Sequence, residues 1–192
     1  MSAGDPRRLS NVVGIDDGAF DHGHRGDVPV VGAVYAGLRL DGVVIGRARR
    51  DGADATRRLA EMVAGSRFRE HLQLVLLDGI AVAGFNVVDV GELSRRLAMP
   101  VLVVCRRQPD FARIRATLLE RIPGGRRKWD LIERLGAMEP VAGVDVQRAG
   151  LDLDAARLVV RRFAIHGHLP EPLRVAHLIA GAVATGESRG GA

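Results

Sequence analysis

Between Val12 and Arg49 the chain offers three apolar, β-branched runs and no room for a helix, and this feature constrains the fold more than any other. The runs cover residues 12–16, 28–35 and 42–49, the last two joined by a turn over 36–41. Strand-length runs separated only by loop and turn predict an antiparallel meander. A doubly wound fold would need a crossover helix between its successive parallel strands, so it is excluded for this part of the chain.

A second strong signal is Leu74-Val75-Leu76-Leu77-Asp78-Gly79. Four apolar residues in a row predict a strand buried on both faces, and the Asp-Gly predicts a tight turn at its end. Val12-Val13-Gly14-Ile15-Asp16-Asp17-Gly18 has the same form. If the two strands are neighbours in one sheet, Asp16 and Asp78 emerge side by side. Two carboxylates so placed repel unless a cation lies between them. Asp-Gly after a strand is also ordinary turn chemistry, so the functional content lies in the pairing and not in either motif.

The remaining elements follow in order. Asp54 is the expected N-cap of a helix over 55–64, with Leu59, Met62 and Val63 on one face. A small-residue loop, 80–88, contains Gly84-Phe85-Asn86 and leads to a helix over 89–97. Residues 101–105 form a buried strand that runs into Arg106 and Arg107. Pro109 opens a helix to Arg121. Residues 123–128, Pro-Gly-Gly-Arg-Arg-Lys, are expected to be a flexible basic loop ahead of Trp129. Residues 141–147 alternate like an edge strand, and helices over 151–165 and 170–184 close the chain. Meander, helix, strand, helix, strand and trailing helices give a ribonuclease-H-like mixed sheet, an antiparallel meander plus parallel strands flanked by helices. One domain over 1–192 is expected, with 1–11 and 186–192 as loose tails.

Charge and composition narrow the function classes. The 28 basic residues include one lysine, Lys128, against 23 acidic ones, for a net charge of +5. Guanidinium groups grip phosphate through a planar fork, so an arginine-rich surface suits nucleic acid. Base composition alone also enriches arginine in a chain rich in Ala, Gly and Val, so charge does not choose the partner by itself. Arg106, Arg107, Arg126, Arg127 and Lys128 are the candidate phosphate contacts, and Trp129 beside the last three reads either as a stacking ring or as a core anchor. His22 and His24, near Asp21 and Asp27, match no ligand spacing and read as solvated loop. One cysteine, Cys105, excludes an internal disulfide. No apolar run approaches the ~20 residues that span a bilayer, and the polar start lacks a signal segment. A cytoplasmic protein without membrane attachment is expected.

Taken together, Gly14-Ile15-Asp16-Asp17-Gly18, Asp51-Gly52-Ala53-Asp54-Ala55-Thr56, Leu77-Asp78-Gly79-Ile80, Gly84-Phe85-Asn86-Val87-Val88-Asp89 and Leu169-Pro170-Glu171-Pro172-Leu173-Arg174-Val175-Ala176-His177 resemble the mostly archaeal family called domain of unknown function 99. The resemblance covers nearly the whole chain. That family is similar to endonuclease V, a magnesium-dependent nuclease of ribonuclease-H-like fold that acts near deaminated bases such as inosine.

The resemblance implies that Asp16 and Asp78 hold Mg²⁺ (or Mn²⁺) and that the Pro-Glu-Pro segment is structural. It also marks departures. Asp54 stands where endonuclease V has a catalytic glutamate, and as a third carboxylate it would complete the metal set. The position of the catalytic histidine falls near Ala149 and Gly150, which carry nothing titratable. No wedge precedes Asp54, where Arg47 to Gly52 stand instead. Gly84-Phe85-Asn86 replaces the residues beside the base, leaving Phe85 to stack on it and Asn86 to line its pocket. His177 reads either as a face residue of the last helix or as a further candidate for the site. The leading reading is a magnesium-dependent endonuclease-like protein acting on DNA or RNA without inosine specificity. The alternative is a non-catalytic nucleic-acid-binding module. A small-molecule phosphohydrolase is disfavoured because no Gly-rich P-loop occurs.

Overall fold

The computed structural model describes residues 9–21 and 23–188; His22 and the outer parts of both expected tails lie outside the described residues. The meander forms as the sequence predicts: β1 (Asn11–Asp17), β2 (Asp27–Ala36) and β3 (Arg39–Arg49) pair antiparallel in succession. Then follow α1 (Ala55–Ala64), β4 (Leu74–Asp78), a small hairpin of β5 (Ala81–Val82) and β6 (Asn86–Val87), α2 (Val90–Leu97) and β7 (Val101–Cys105). The chain continues through α3 (Phe111–Arg121), α4 (Gly125–Leu135), the hairpin of β8 (Glu139–Val141) and β9 (Val144–Ala149), α5 (Leu153–Phe163) and α6 (Glu171–Thr185). Seven strands share one sheet in the order β3-β2-β1-β4-β7-β9-β8. β1, β4 and β7 are mutually parallel neighbours, and the other pairs are antiparallel. The ribonuclease-H-like mixed sheet is therefore the fold.

Side chains alternate across each strand, and β4 shows what that does to the core. Val75 and Leu77 pack with Val13, Ile15, Leu59, Val63 and Leu93, in the layer of α1 and α2. Leu74 and Leu76 pack with Val12, Val159, Phe163 and Leu173, in the layer of α5 and α6. Both faces are dry, as four consecutive apolar residues require. Burying each leucine contributes about 1.5–3 kcal/mol. A smaller cluster of Val87, Leu118, Trp129 and Ile132 joins α3 and α4 to the β5–β6 hairpin.

α6 lies directly on β1. A Cβ added to Gly14 would stand 2.4 Å from the Pro172 carbonyl carbon, and one on Gly18 would stand 2.9 Å from the Ala184 Cβ. Helix and strand approach this closely only because both positions lack a side chain. The Pro-Glu-Pro segment is structural: Glu171 is buried and its two oxygens take Arg174 Nη2 at 2.5 Å and Nε at 2.8 Å.

Four local expectations change. The basic stretch 123–128 is not a loop beyond Gly124. Gly124 takes a left-handed conformation (φ 69°) and α4 begins at the next residue, so Arg126, Arg127 and Lys128 are helical. Loop 80–88 contains the β5–β6 hairpin. The strand read over 141–147 is a hairpin that turns at Ala142 and Gly143, with φ of 49° and 90°. The first tail ends before Asn11, because Leu9 is buried and the Ser10 and Asn11 N–H groups both donate to Gln73 Oε1 at 2.9 and 3.0 Å. No helix among the described residues is long and apolar enough to cross a membrane.

Candidate active site

β1 and β4 run parallel and in register, Ile15 beside Leu77, so the two aspartates that follow leave the sheet together. Period-two alternation puts Asp16 and Asp78 on the face of Leu74 and Leu76, under α6. From α6, His177 Nδ1 lies 2.8 Å from Asp16 Oδ2, while the Asp17 N–H donates to Asp16 Oδ1 at 2.8 Å. Asp16 is buried and its partner imidazole is about half exposed. Asp78, Cys105, Arg106, Arg107 and His177 line an open groove above the strand ends.

The electrostatics of this corner are unfavourable without a counter-charge. Burial pushes the Asp78 carboxyl up to about 6, and the Asp16 charge adds to the rise, while Arg106 and His177 oppose it. Burial, then Asp16, push Asp17 up to about 7. Asp16 itself is raised by burial and pulled back by the Asp17 N–H and by His177. Cys105 is pushed up to about 12, first by burial and then by Asp78 and Asp145, so it is a neutral thiol and not a nucleophile.

Asp54 does not join this group. It begins α1, on the opposite face of the sheet from Asp16 and Asp78. Its Oδ1 accepts the Arg49 N–H at 3.1 Å and Asn86 Nδ2 at 2.7 Å, and Arg58 Nε lies 3.2 Å from Oδ2. Burial alone would raise its carboxyl, but Asn86, the Arg49 N–H and Arg58 outweigh that and hold it below the ordinary value. Among the described residues no three His, Cys, Asp or Glu side chains are grouped to hold one ion. Asp16 and Asp78 thus stand together at adjoining strand ends beside Asp17, and Asp54 is engaged elsewhere, by Arg49, Asn86 and Arg58.

The predicted nucleic-acid contacts divide as well. Arg106 and Arg107 are exposed at the groove, and Arg126 and Arg127 are exposed on α4. Lys128 is buried, its Nζ donates to the Asp51 carbonyl at 2.6 Å, and burial lowers its pKa against the pull of Asp51. Asn86 has no exposed surface; besides Asp54 it donates to the Arg49 carbonyl at 2.8 Å and accepts the Ala55 N–H at 3.0 Å. It lines no base pocket. Phe85 is half-buried against the Trp129 cluster, and its N–H donates to Asp51 Oδ1 at 2.8 Å. Trp129 is a core anchor.

A family model described as endonuclease dU matches residues 8–184. The chain belongs to the endonuclease dU family. A UPF0215 protein of Deinococcus radiodurans is 57% identical over 183 residues, covering 95% of this chain and 93% of the relative. A crystal structure of an Archaeoglobus fulgidus protein of unknown function superposes with a TM-score of 0.84 at 34% identity, over 91% of this chain and 98% of the other. Endonuclease V of Ciona intestinalis, solved with a 24mer DNA containing an inosine followed by a ribo-adenosine, superposes with a TM-score of 0.56 at 11% identity, over 88% and 84%. That last likeness is one of fold.

Within this endonuclease dU family member, the position read from sequence for a histidine, Ala149 and Gly150, closes β9 and holds no acid or base. The imidazole that reaches Asp16 is instead His177, 161 residues away in the chain. One signal for it was present: His177 ends the Leu169–His177 stretch that carries part of the resemblance.

Proposed function

We propose that the chain is a divalent-metal-dependent endonuclease acting on nucleic acid, with Asp16 and Asp78 as metal ligands and His177 as the proton-transferring group. The observation that carries this reading is the Asp16–His177 contact at the paired strand ends. The donor set suits Mg²⁺ or Mn²⁺, hard ions that bind through one or two carboxylates and leave the other positions to water and phosphate. Carboxyls that burial pushes up, with the Asp16 charge adding to the rise at Asp78, gain from such a cation. The ion, when bound, polarises a phosphoryl oxygen and acidifies water.

The chain's own groups supply the rest. With Nδ1–H donated to Asp16, the ring is held in one tautomer and Nε2 is left to accept a proton. Nε2 takes the proton of the attacking water as its oxygen bonds to phosphorus. The ester P–O bond then breaks and its oxygen is protonated from solvent. Arg106 and Arg107 grip the phosphates that flank the cut.

The family's description makes a deoxyuridine-containing strand the first substrate to try. Matched strands bearing deoxyuridine, inosine or neither, with Mg²⁺ or Mn²⁺, form the assay. Metal-dependent cutting is expected, lost in Asp78→Asn and reduced roughly 10²–10⁴-fold in His177→Ala. Little preference for inosine is expected, because Asn86 and Phe85 are committed to the fold and offer no pocket to read a base edge. Cutting that survives Asp78→Asn, or rapid inosine-specific cutting, would overturn these assignments. A non-catalytic binding module is favoured only by the withdrawal of Asp54 from the metal set; it predicts binding to every strand and cutting of none.

A further inference from the structure

β3 is the outermost strand of the sheet and runs for eleven residues. Among the described residues no strand pairs with its outer side. A bare edge of this length is a template for another strand. Its exposed apolar residues are Leu40 (44%), Val43 (38%) and Ile45 (59%), with Asp41 and Arg47 on either side of the last two. The alternate positions, Val44 and Gly46, face inward; a Cβ on Gly46 would touch Met62.

Along this edge the order Asp41, Val43, Ile45, Arg47 is complementary to its own reverse. We propose that β3 pairs antiparallel with β3 of a second copy of this chain, about a two-fold axis at Val44. In that register Asp41 lies opposite the second copy's Arg47, and Val43 opposite its Ile45, with each contact made twice as an isologous interface requires. Opposite charges and large apolar residues placed directly across antiparallel strands stabilise the pair. Neighbouring registers break this match: an axis at Val43 sets Asp41 against Ile45, and one at Ile45 sets Val43 against Arg47. At the outer ends Arg39 faces Arg49, but each has its own acid, Asp41 at 3.0 Å and Asp27 at 3.7 Å. The irregularity in the β2–β3 register is at Asp41 itself: Val34 pairs with Gly42 and Tyr35 with Leu40, so Asp41 is the extra residue of a bulge, while residues 42–49 stay in unbroken register and carry the apolar centre of the pairing. The pairing joins two seven-stranded sheets into one.

The test is the molar mass of the full chain across a dilution series. The parent is expected at twice the 20.6 kDa of one chain. Asp41→Arg and Arg47→Asp each set like charges against each other and are expected at the single-chain mass where the parent is dimeric, with unchanged circular dichroism. The double variant D41R/R47D, and an equimolar mixture of the two single variants, are expected to recover the double mass, because both again set opposite charges against each other at positions 41 and 47 of the two copies. A parent that is monomeric throughout, single variants as dimeric as the parent, or a mixture that fails to recover the dimer would each overturn the proposal.

Discussion

His177 illustrates what a side chain gains from its place. On α6 it is a polar residue flanked by buried Ala176 and Ala180, and the helix alone assigns it no task. The sheet gives it Asp16. No reading of spacing could join these residues, since the contact arises from helix-on-strand packing. Asp16 and Asp78 were legible because each ends an apolar run, and neighbouring strands in register carry their ends together. The pKa shifts at this corner lead to a pH prediction. Asp78 and Asp17 hold protons more tightly in the folded chain, at about 6 and about 7, than at the unperturbed 3.8. Folding therefore takes up protons between these values, and metal-free stability falls as pH rises through that window. Thermal midpoints measured at about pH 5 and about pH 8 are expected to show the fall, and Asp78→Asn is expected to flatten it. Mn²⁺ is expected to raise the midpoint more at the higher pH, since the ligands must shed protons to bind it. An Asp78→Asn variant with the parent's full pH slope would refute the assignment.

At the scale of elements, the strands and long helices were readable from their apolar runs, and the shortest pieces were not. β5 and β6 have two residues each, too few to show alternation. The β8–β9 turn hides because Ala142 adopts a positive φ that alanine seldom takes. The end of β3, the start of α1 and the β5–β6 hairpin meet at Asn86, whose amide serves Arg49, Asp54 and Ala55 at once. Family position suggested a base contact there, whereas complete burial makes it a clasp. Asn86→Ala strands the Ala55 N–H and the Arg49 carbonyl, and a loss of about 2–3 kcal/mol is expected. Denaturant unfolding checks this, and a loss below about 0.5 kcal/mol, the range of an ordinary surface substitution, would show that the clasp holds nothing together. Lys128 belongs to the same region. Its ammonium holds the Asp51 carbonyl, so the one lysine of the chain ties α4 to the end of the meander.

Across the whole molecule, the net charge of +5 is a statement about partners and not about the fold. Arg106, Arg107, Arg126 and Arg127 are exposed, and single-stranded nucleic acid is expected to bind with an affinity that falls steeply with salt. Replacing Arg106 and Arg107 with alanine is expected to lower the salt slope by about 0.7 for each phosphate that is no longer neutralised. Lys128→Ala is expected to leave the slope unchanged and lower the unfolding midpoint. Titrations at several ionic strengths decide both, and an affinity flat in salt would mean that the arginines only keep the protein in solution. The seat of α6 on β1 has a consequence for which substitutions the chain can accept. Gly14 and Gly18 act as a spacer of zero thickness, so the reach of the imidazole to the carboxylate is set by two missing side chains. A methyl group at either position would lift the helix off the strand as a shim lifts a hinge, and the ring would miss its partner with every participating residue still present.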